Sequence, residues 1–163
     1  MKTIIQGHNK KLISGKNKTP DPKCNCQNKQ QCPVPGNCCQ DNVVYQASVN
    51  HEDGRHVMYV GCTESSFKLR FNNHTKSFRN EQYKNETTLS RYLWDNNLQN
   101  SNNIKWKYMK KCSTYTPGNT ACDLCLSEKF FIIKNQNSVH SLNKRTDIAN
   151  KCPHKRKHTL TML

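Results

Sequence analysis

Residues 43–60 read VVYQASVNHEDGRHVMYV, and their pattern predicts the centre of the fold. Apolar and polar side chains alternate along residues 43–49, which is the two-residue period of a strand with one buried face. Residues 50–54 then supply an Asn-His-Glu-Asp-Gly turn, and residues 56–60 return as a second strand. We therefore predict an antiparallel hairpin that brings Tyr45 and Tyr59 close to one another.

The apolar period changes downstream of this hairpin. Over residues 65–78, aromatic and apolar side chains recur every three or four positions, which predicts a helix. Further helices are predicted over residues 87–96 and over about residues 124–134. Residues 104–108 alternate aromatic or apolar side chains with lysines, which predicts a third strand with one wet, basic face.

The two ends of the chain are too polar to form a core. Residues 1–22 are rich in Lys and Asn, and we predict a disordered basic arm. Residues 23–41 combine Cys, Pro and Gly with too few apolar side chains to fold without a ligand. A folded domain is expected over residues 42–150, followed by a basic tail over residues 151–163.

The charge balance indicates a polyanionic partner. The 163 residues include 26 Lys and Arg against 11 Asp and Glu, a formal net charge of +15. Such an excess is typical of proteins that bind nucleic acids, although a basic surface kept for solubility or nonspecific binding to RNA gives the same composition. Hydrophobic residues make up only 33% of the chain, so we expect a small core that metals or cross-links help to stabilise.

The cysteines and the character of the N-terminus predict an intracellular metalloprotein. Residues 1–20 have no apolar segment of the kind found in secretory signals, and no run approaches the roughly 20 apolar residues of a membrane span. In a reducing compartment, paired cysteines bind metal more often than they form disulfides. The cluster Lys155-Arg156-Lys157 suits nuclear entry or phosphate contact, so we expect a nuclear protein without a membrane or small-molecule partner.

The first of two cysteine groups lies within residues 23–41. Its candidate zinc ligands are Cys24, Cys26, Cys32 and Cys38. Thiolates at short loop spacings can surround a tetrahedral zinc ion, and the Pro and Gly residues between them favour turns. Cys39 can replace Cys38 as the fourth ligand. The alternative is a set of surface thiols without a metal.

The second group joins the third predicted helix to the basic tail. Its candidate zinc ligands are Cys122, Cys125, Cys152 and His154. A Cys-x2-Cys pair at a helix start, with a distant Cys and His, is typical of zinc sites. His140 or His158 can stand in for His154. Together the two groups predict one or two structural Zn²⁺ ions.

A further set of side chains has the chemistry that phosphodiester hydrolysis needs. Glu128, a single carboxylate in an apolar helix, can hold one divalent cation. Arg70 presents a planar fork of donors to a phosphate oxygen, and His74, one helical turn later, can relay a proton or contact the phosphate. Tyr45 and Tyr59 can orient or deprotonate the attacking water. Each residue taken singly is more often structural, and only their joint order favours a catalytic interpretation.

That order resembles the GIY-YIG endonucleases over about residues 42–148. The matching tripeptides are Val43-Val44-Tyr45 and Tyr59-Val60-Gly61, in which valines replace the family's Gly and Ile. The resemblance implies an α/β (α+β) fold with a small, three-stranded, mostly antiparallel sheet flanked by helices. It implies that the tyrosines lie at the water and phosphate, Arg70 on the phosphate, Glu128 on one Mg²⁺ or Mn²⁺ ion, and Asn143 nearby as a polar support. The position of His74 is used in some branches of the family.

Longer segments resemble the endonuclease domain of Penelope-like retroelements. These segments are residues 42–47, 59–64, 70–74, 122–129, 142–145 and 152–155. Such elements join a reverse transcriptase to a C-terminal endonuclease that nicks target DNA. The resemblance therefore implies DNA and a reverse transcriptase domain of the same element as partners. It also implies that the chain is the tail of a larger protein, a decayed copy or a domesticated gene.

Two functions of different class fit the sequence. The first is a metal-dependent DNA endonuclease, and the second is a non-catalytic, zinc-binding nucleic-acid module from a decayed or domesticated element. Intact Tyr45, Arg70 and Glu128 favour the first, because a pure binding protein does not need a carboxylate facing phosphate. A zinc-stabilised protein-interaction domain of RING-like type fits the ligand spacing poorly and leaves the positive charge unexplained.

Overall fold

The computed structural model describes residues 23–136 and 140–154. The predicted basic arm, residues 1–22, and most of the predicted tail, residues 155–163, lie outside the described residues. The elements within the described part are β1 (Val43–Asn50), β2 (His56–Thr63), α1 (Phe67–Arg79), α2 (Thr88–Asp95), β3 (Ile104–Lys111), α3 (Asp123–Gln136) and α4 (Arg145–Ala149). Short 3-10 turns occupy Lys29–Gln31, Glu81–Tyr83 and Ser101–Asn103.

The three strands form one antiparallel sheet in the order β2-β1-β3. The predicted hairpin is present, and its turn contains Gly54 with a φ of +83°, a conformation that L side chains rarely adopt. At the outer edge of β2, Met58 exchanges backbone hydrogen bonds of 2.8 Å with His140 and Leu142, which forms one isolated parallel bridge at Ser141. The prediction of a small, mostly antiparallel sheet with flanking helices is confirmed, and it places the chain in the α+β class.

The central strand β1 is buried on both faces, because helices cover the sheet from two sides. Side chains of α1 and α2 pack on the face that carries Tyr45 and Ala47. Helix α3 packs on the opposite face, against Val44 and Val60. The candidate active site lies along the edge strand β2, which has α1 on one face and α3 on the other.

The cysteine-rich segment before β1 packs against the same core. Val34 is buried together with Tyr45 and Phe67. The first turn of α1 is also closed by this segment, since the Phe67 backbone N–H donates to the Gln40 carbonyl at 2.9 Å and that of Lys68 to the Cys38 carbonyl at 2.7 Å. These bonds satisfy helix N–H groups that have no partner within α1.

Candidate active site and metal centres

Tyr45 and Tyr59 lie on the same face of the hairpin as diagonal neighbours. In the strand register, Tyr45 is opposite Gly61 and Tyr59 is opposite Ala47. A Cβ atom at Gly61 would lie 2.7 Å from the Tyr45 phenol oxygen and 3.0 Å from Cε1 of Tyr59. Glycine is therefore required at this position to make room for the two rings.

Helix α1 places Arg70 and His74 on the phenol of Tyr45. Arg70 Nε donates to the phenol oxygen at 3.0 Å, and that oxygen lies 2.8 Å from His74 Nε2. Burial and the nearby charge of Arg70 lower the pKa of His74 from 6.5 to about 3, so the imidazole is neutral. Because the phenol already accepts from Arg70, we assign its own proton as donated to Nε2.

The phenol of Tyr45 is closed off from solvent. The residue is 0% exposed, and burial raises the pKa of Tyr45 well above its usual range, which keeps the phenol protonated. Its ring is surrounded by Phe67 and Trp106, with ring centroids at 5.2 and 5.8 Å. Any influence of Tyr45 on a substrate therefore passes through Arg70, because His74 is itself only 2% exposed and does not reach the surface to contact a phosphate.

Tyr59 is half-buried and lies in the field of both the guanidinium and two carboxylates. Burial raises the pKa of Tyr59 to about 12; Arg70 lowers it, while Glu128 and Asp147 raise it. Burial also lowers the pKa of Arg70, but the phenols of Tyr45 and Tyr59 outweigh this effect and raise it overall. Arg70 is therefore a permanent positive charge next to Tyr59.

Glu128 approaches the same strand from the opposite face of the sheet. The residue lies on α3, is half-buried, and has its pKa raised chiefly by burial. Hydrogen bonding from the thiol and the backbone N–H of Cys62 lowers that pKa, as does the charge of Arg70, whereas Asp147 raises it. The carboxylate thus lies at Cys62 on β2, on the face of the strand opposite the two tyrosines.

The side chain of Asn143 hydrogen-bonds to the backbone of β2 as a neighbouring strand would. Its Oδ1 accepts from the Val60 backbone N–H at 2.7 Å, and its Nδ2 donates to the Val60 carbonyl at 2.9 Å. The amide thus satisfies both free backbone groups of an edge residue next to Gly61. This contact holds the chain before α4 against β2.

A cavity of about 380 Å³ lies beside Glu128, between α3 and the α4 region. Its lining consists of Cys125, Glu128, Lys129, Ile132, Asn143, Asp147, Asn150, Lys151, Cys152 and Pro153. Glu128 offers a carboxylate to this cavity, which Lys129 and Lys151 also line, while the Asn143 amide is engaged by Val60. One oxygen of Asp147 is also engaged, by the Lys144 backbone N–H at 2.9 Å.

Four thiols converge in the N-terminal cysteine cluster, formed by Cys24, Cys26, Cys32 and Cys38. Sulfur–sulfur distances are 3.7 Å for Cys24–Cys32 and 3.5 Å for both Cys26–Cys38 and Cys24–Cys38. A tetrahedral site with Zn–S bonds of about 2.3 Å requires sulfurs about 3.8 Å apart, whereas a disulfide requires about 2.05 Å. The cluster therefore fits zinc. The sulfur of Cys39 lies 4.0 Å from that of Cys38 and outside the converging set, which makes Cys38 the fourth ligand.

The second set, the C-terminal cysteine–histidine cluster, is formed by Cys122, Cys125, Cys152 and His154. His154 Nδ1 lies 3.4 Å from the sulfur of Cys122 and 3.2 Å from that of Cys125. The imidazole of the alternative ligand His140 instead packs against His56, with ring centroids at 5.3 Å, and His158 lies outside the described residues. The predicted choice of His154 is thus supported, and two clusters that could hold zinc are present.

Three contributors to the site gave no recognisable signal in the sequence. Asp147 lies in the five-residue helix α4, which is too short to show a period. Cys62 has the pattern of an ordinary strand residue. Glu64 places a carboxylate oxygen 3.6 Å from Nε2 of His154, on the ring side away from the thiols, where a carboxylate orients a metal-binding imidazole. Only the tertiary fold brings these residues to the site.

Comparison with protein-family models, curated proteins and solved structures finds no match to this chain. Among the helices of the described residues, none is both long and apolar enough to cross a membrane.

Proposed function

We propose that the chain is a metal-dependent DNA endonuclease of the GIY-YIG type, which nicks DNA by hydrolysing a phosphodiester bond. The observation that carries the proposal is that Arg70 and Glu128, on helices from opposite faces of the sheet, lie near enough across β2 for the charge of Arg70 to lower the pKa of the Glu128 carboxyl. A half-buried guanidinium and a half-buried carboxylate, which both act on the pKa of Tyr59, form a set suited to a phosphodiester.

Arg70 supplies the positive charge for the phosphate. Its Nε is committed to Tyr45, which orients the planar group and leaves the terminal N–H donors for a non-bridging oxygen. The neutral imidazole of His74 holds the Tyr45 proton from the other side. These two residues therefore position Arg70, and Tyr45 contributes to the reaction through that contact.

Glu128 is the residue that would hold the catalytic cation. Mg²⁺ or Mn²⁺ bound there supplies a Lewis acid for the phosphate and an acidified water. With a pKa of about 12, Tyr59 is protonated at neutral pH, so its phenol donates a hydrogen bond to the water or the phosphate. The Asn143 contact keeps Val60, and with it the neighbouring Tyr59 and Gly61, at a fixed register.

We also propose the domain boundaries, location and partner that the resemblance to Penelope-like endonucleases implies. The domain would span residues 42–150, work in the nucleus, and act with a reverse transcriptase domain of the same element. The net charge of +15 supports a DNA partner, since lysines and arginines neutralise phosphates with release of counterions. Zinc at the two clusters would be structural, because neither donor set leaves a ligand position open.

The complete burial of Tyr45 favours a second candidate function. A phenol that acts directly on the attacking water has to be reachable, and this one is 0% exposed. A non-catalytic, zinc-binding nucleic-acid module would keep the clusters and the charge and would use Tyr45 as a core residue. The two functions differ in whether the zinc-loaded protein cuts DNA.

A plasmid-nicking assay distinguishes the endonuclease from the non-catalytic binding module. Zinc-loaded protein is incubated with supercoiled plasmid in magnesium-free buffer and again with Mg²⁺ or Mn²⁺, because a strong chelator would also strip the zinc. We expect nicked circles only with the added cation, and none from the Arg70→Ala variant. Arg79→Ala, which removes an exposed arginine at the end of the same helix, is the matched control and should nick like the parent. Duplex binding without nicking under any divalent cation would favour the binding module.

A further inference from the structure

A groove of about 350 Å³ lies between α3 and β3, on the sheet face opposite Tyr45. Leu126 and Phe130 line it from the helix, and they are 56% and 61% exposed. Ile133, 53% exposed, lies on the same helix but does not line the groove. Large apolar side chains grouped at the surface mark a binding site more often than isolated ones do.

Lys110 lines the other side of the groove, and it belongs to a row of lysines that continues along β3 beyond the groove. Lys105, Lys107 and Lys110 share one face of β3, as their pairing with Ser48, Gln46 and Val44 shows. Lys110 is held in place by Asp123 and Ser127, each at 2.8 Å. Lys105 and Lys107 are exposed, and no ion pair among the described residues involves either of them. At about 3.3 Å per strand residue, these two lysines recur every ~6.6 Å, a repeat comparable to that of phosphates in an extended single strand.

We propose that this groove binds a single-stranded segment of DNA, with a base stacked on Phe130 and its phosphates along Lys105 and Lys107. An exposed aromatic ring beside a row of cations is the combination used for single strands, because every base has a face to stack and every linkage has a charge. The choice of DNA rests on the proposed function, since a nick frees a strand end. A purely apolar protein partner would gain nothing from the row of lysines.

Fluorescence of the Phe130→Trp variant tests the stacking. Zinc-loaded protein in magnesium-free buffer is titrated with oligothymidylate, so that no cleavage occurs. We expect quenching well beyond that of the parent, whose own fluorescence comes from Trp94 and Trp106. By fluorescence anisotropy, Phe130→Ala should weaken oligothymidylate binding about tenfold or more. The matched control Ile133→Ala, equally exposed but not aromatic, should change it less than twofold.

The salt dependence of oligothymidylate binding tests the phosphate contacts separately. The Lys105→Ala/Lys107→Ala variant should lower the slope of log affinity against log salt by about 1.4, the contribution of two phosphate contacts to a single strand. Unchanged oligothymidylate affinity in Phe130→Ala overturns the inference, and so does stronger quenching by a polyglutamate peptide than by the oligonucleotide. These outcomes are independent of the nuclease proposal. If the parent nicks plasmid but Phe130→Ala binds oligothymidylate as tightly as the parent does, only the proposal of a binding groove is refuted. If the groove binds oligothymidylate but no nicking occurs, only the nuclease proposal is refuted.

Discussion

Gly61→Ala is the smallest change that should disable the arrangement around Tyr45. The new Cβ would lie 2.7 Å from the phenol oxygen and 2.8 Å from Cζ, closer than real Cβ contacts allow. The ring cannot move away easily, because Phe67 and Trp106 pack around it. Overpacking costs about 1–3 kcal/mol, and lengthening a buried hydrogen bond to the phenol costs about 1 kcal/mol more. We expect a total loss of about 2–4 kcal/mol in unfolding free energy.

Urea unfolding of the zinc-loaded protein measures this loss through the transition midpoint. Gly54→Ala is the matched control in the same hairpin: its surroundings are open, so its cost is backbone strain alone, about 1 kcal/mol, with unchanged nicking. Gly61→Ala should lose both stability and nicking, since Arg70 is oriented by the displaced phenol.

A double variant checks the cause of this loss. Tyr45→Phe removes the atom closest to the new Cβ, so the Gly61→Ala/Tyr45→Phe protein should be less destabilised than the sum of the two single variants. A Gly61→Ala protein within 0.5 kcal/mol of the parent would refute the close packing on which this reasoning rests.

Three further predictions concern pH, zinc and salt. Because the pKa of His74 falls from 6.5 to about 3 on folding, stability is intact above pH 6.5 and is lost as pH falls toward 3, by about 2 kcal/mol at pH 5; His74→Gln should remove this part of the pH dependence of the urea midpoint. Elemental analysis should find two zinc ions per chain, with one lost in Cys24→Ser, one lost in Cys152→Ser, and none lost in Cys39→Ser. Affinity for duplex DNA should fall steeply with salt, and deleting residues 1–22 should reduce that slope while leaving the cleavage chemistry unchanged; an unaltered slope would show that this segment does not contact DNA.

The sequence predicted those features that depend on local periodicity or on ligand chemistry. Alternation along residues 43–60 is enough to predict the hairpin and the proximity of Tyr45 and Tyr59, because strand pairing across a short turn is local. Both zinc ligand sets were likewise predictable, since thiols and imidazoles at these spacings have few other uses. The GIY-YIG assignment itself stays a prediction.

Features that depend on the path of the chain could not be predicted. Arg70 and Glu128 influence each other across β2 although their helices lie on opposite faces of the sheet, and the sheet order that makes β2 an edge is not local information. The burial of Tyr45 has the same origin, since alternation does not reveal that β1 is the central strand. The choice between Cys38 and Cys39 was open because neighbouring residues of an irregular segment point in directions that only the folded loop determines.

The most direct test of the central claim is the nicking rate of Glu128→Gln. This variant keeps the size of the side chain and one oxygen that can accept from Cys62, but removes the negative charge that a cation needs. Zinc content and the unfolding midpoint should match the parent, while duplex affinity should rise slightly because a negative charge leaves the phosphate site. The rate of plasmid nicking in Mg²⁺ should fall at least about a thousandfold, because a catalytic cation contributes several kcal/mol to the transition state. A Glu128→Gln protein that nicks at the parent's rate, or a zinc-loaded parent that nicks equally well without Mg²⁺ or Mn²⁺, would contradict the proposed one-metal endonuclease.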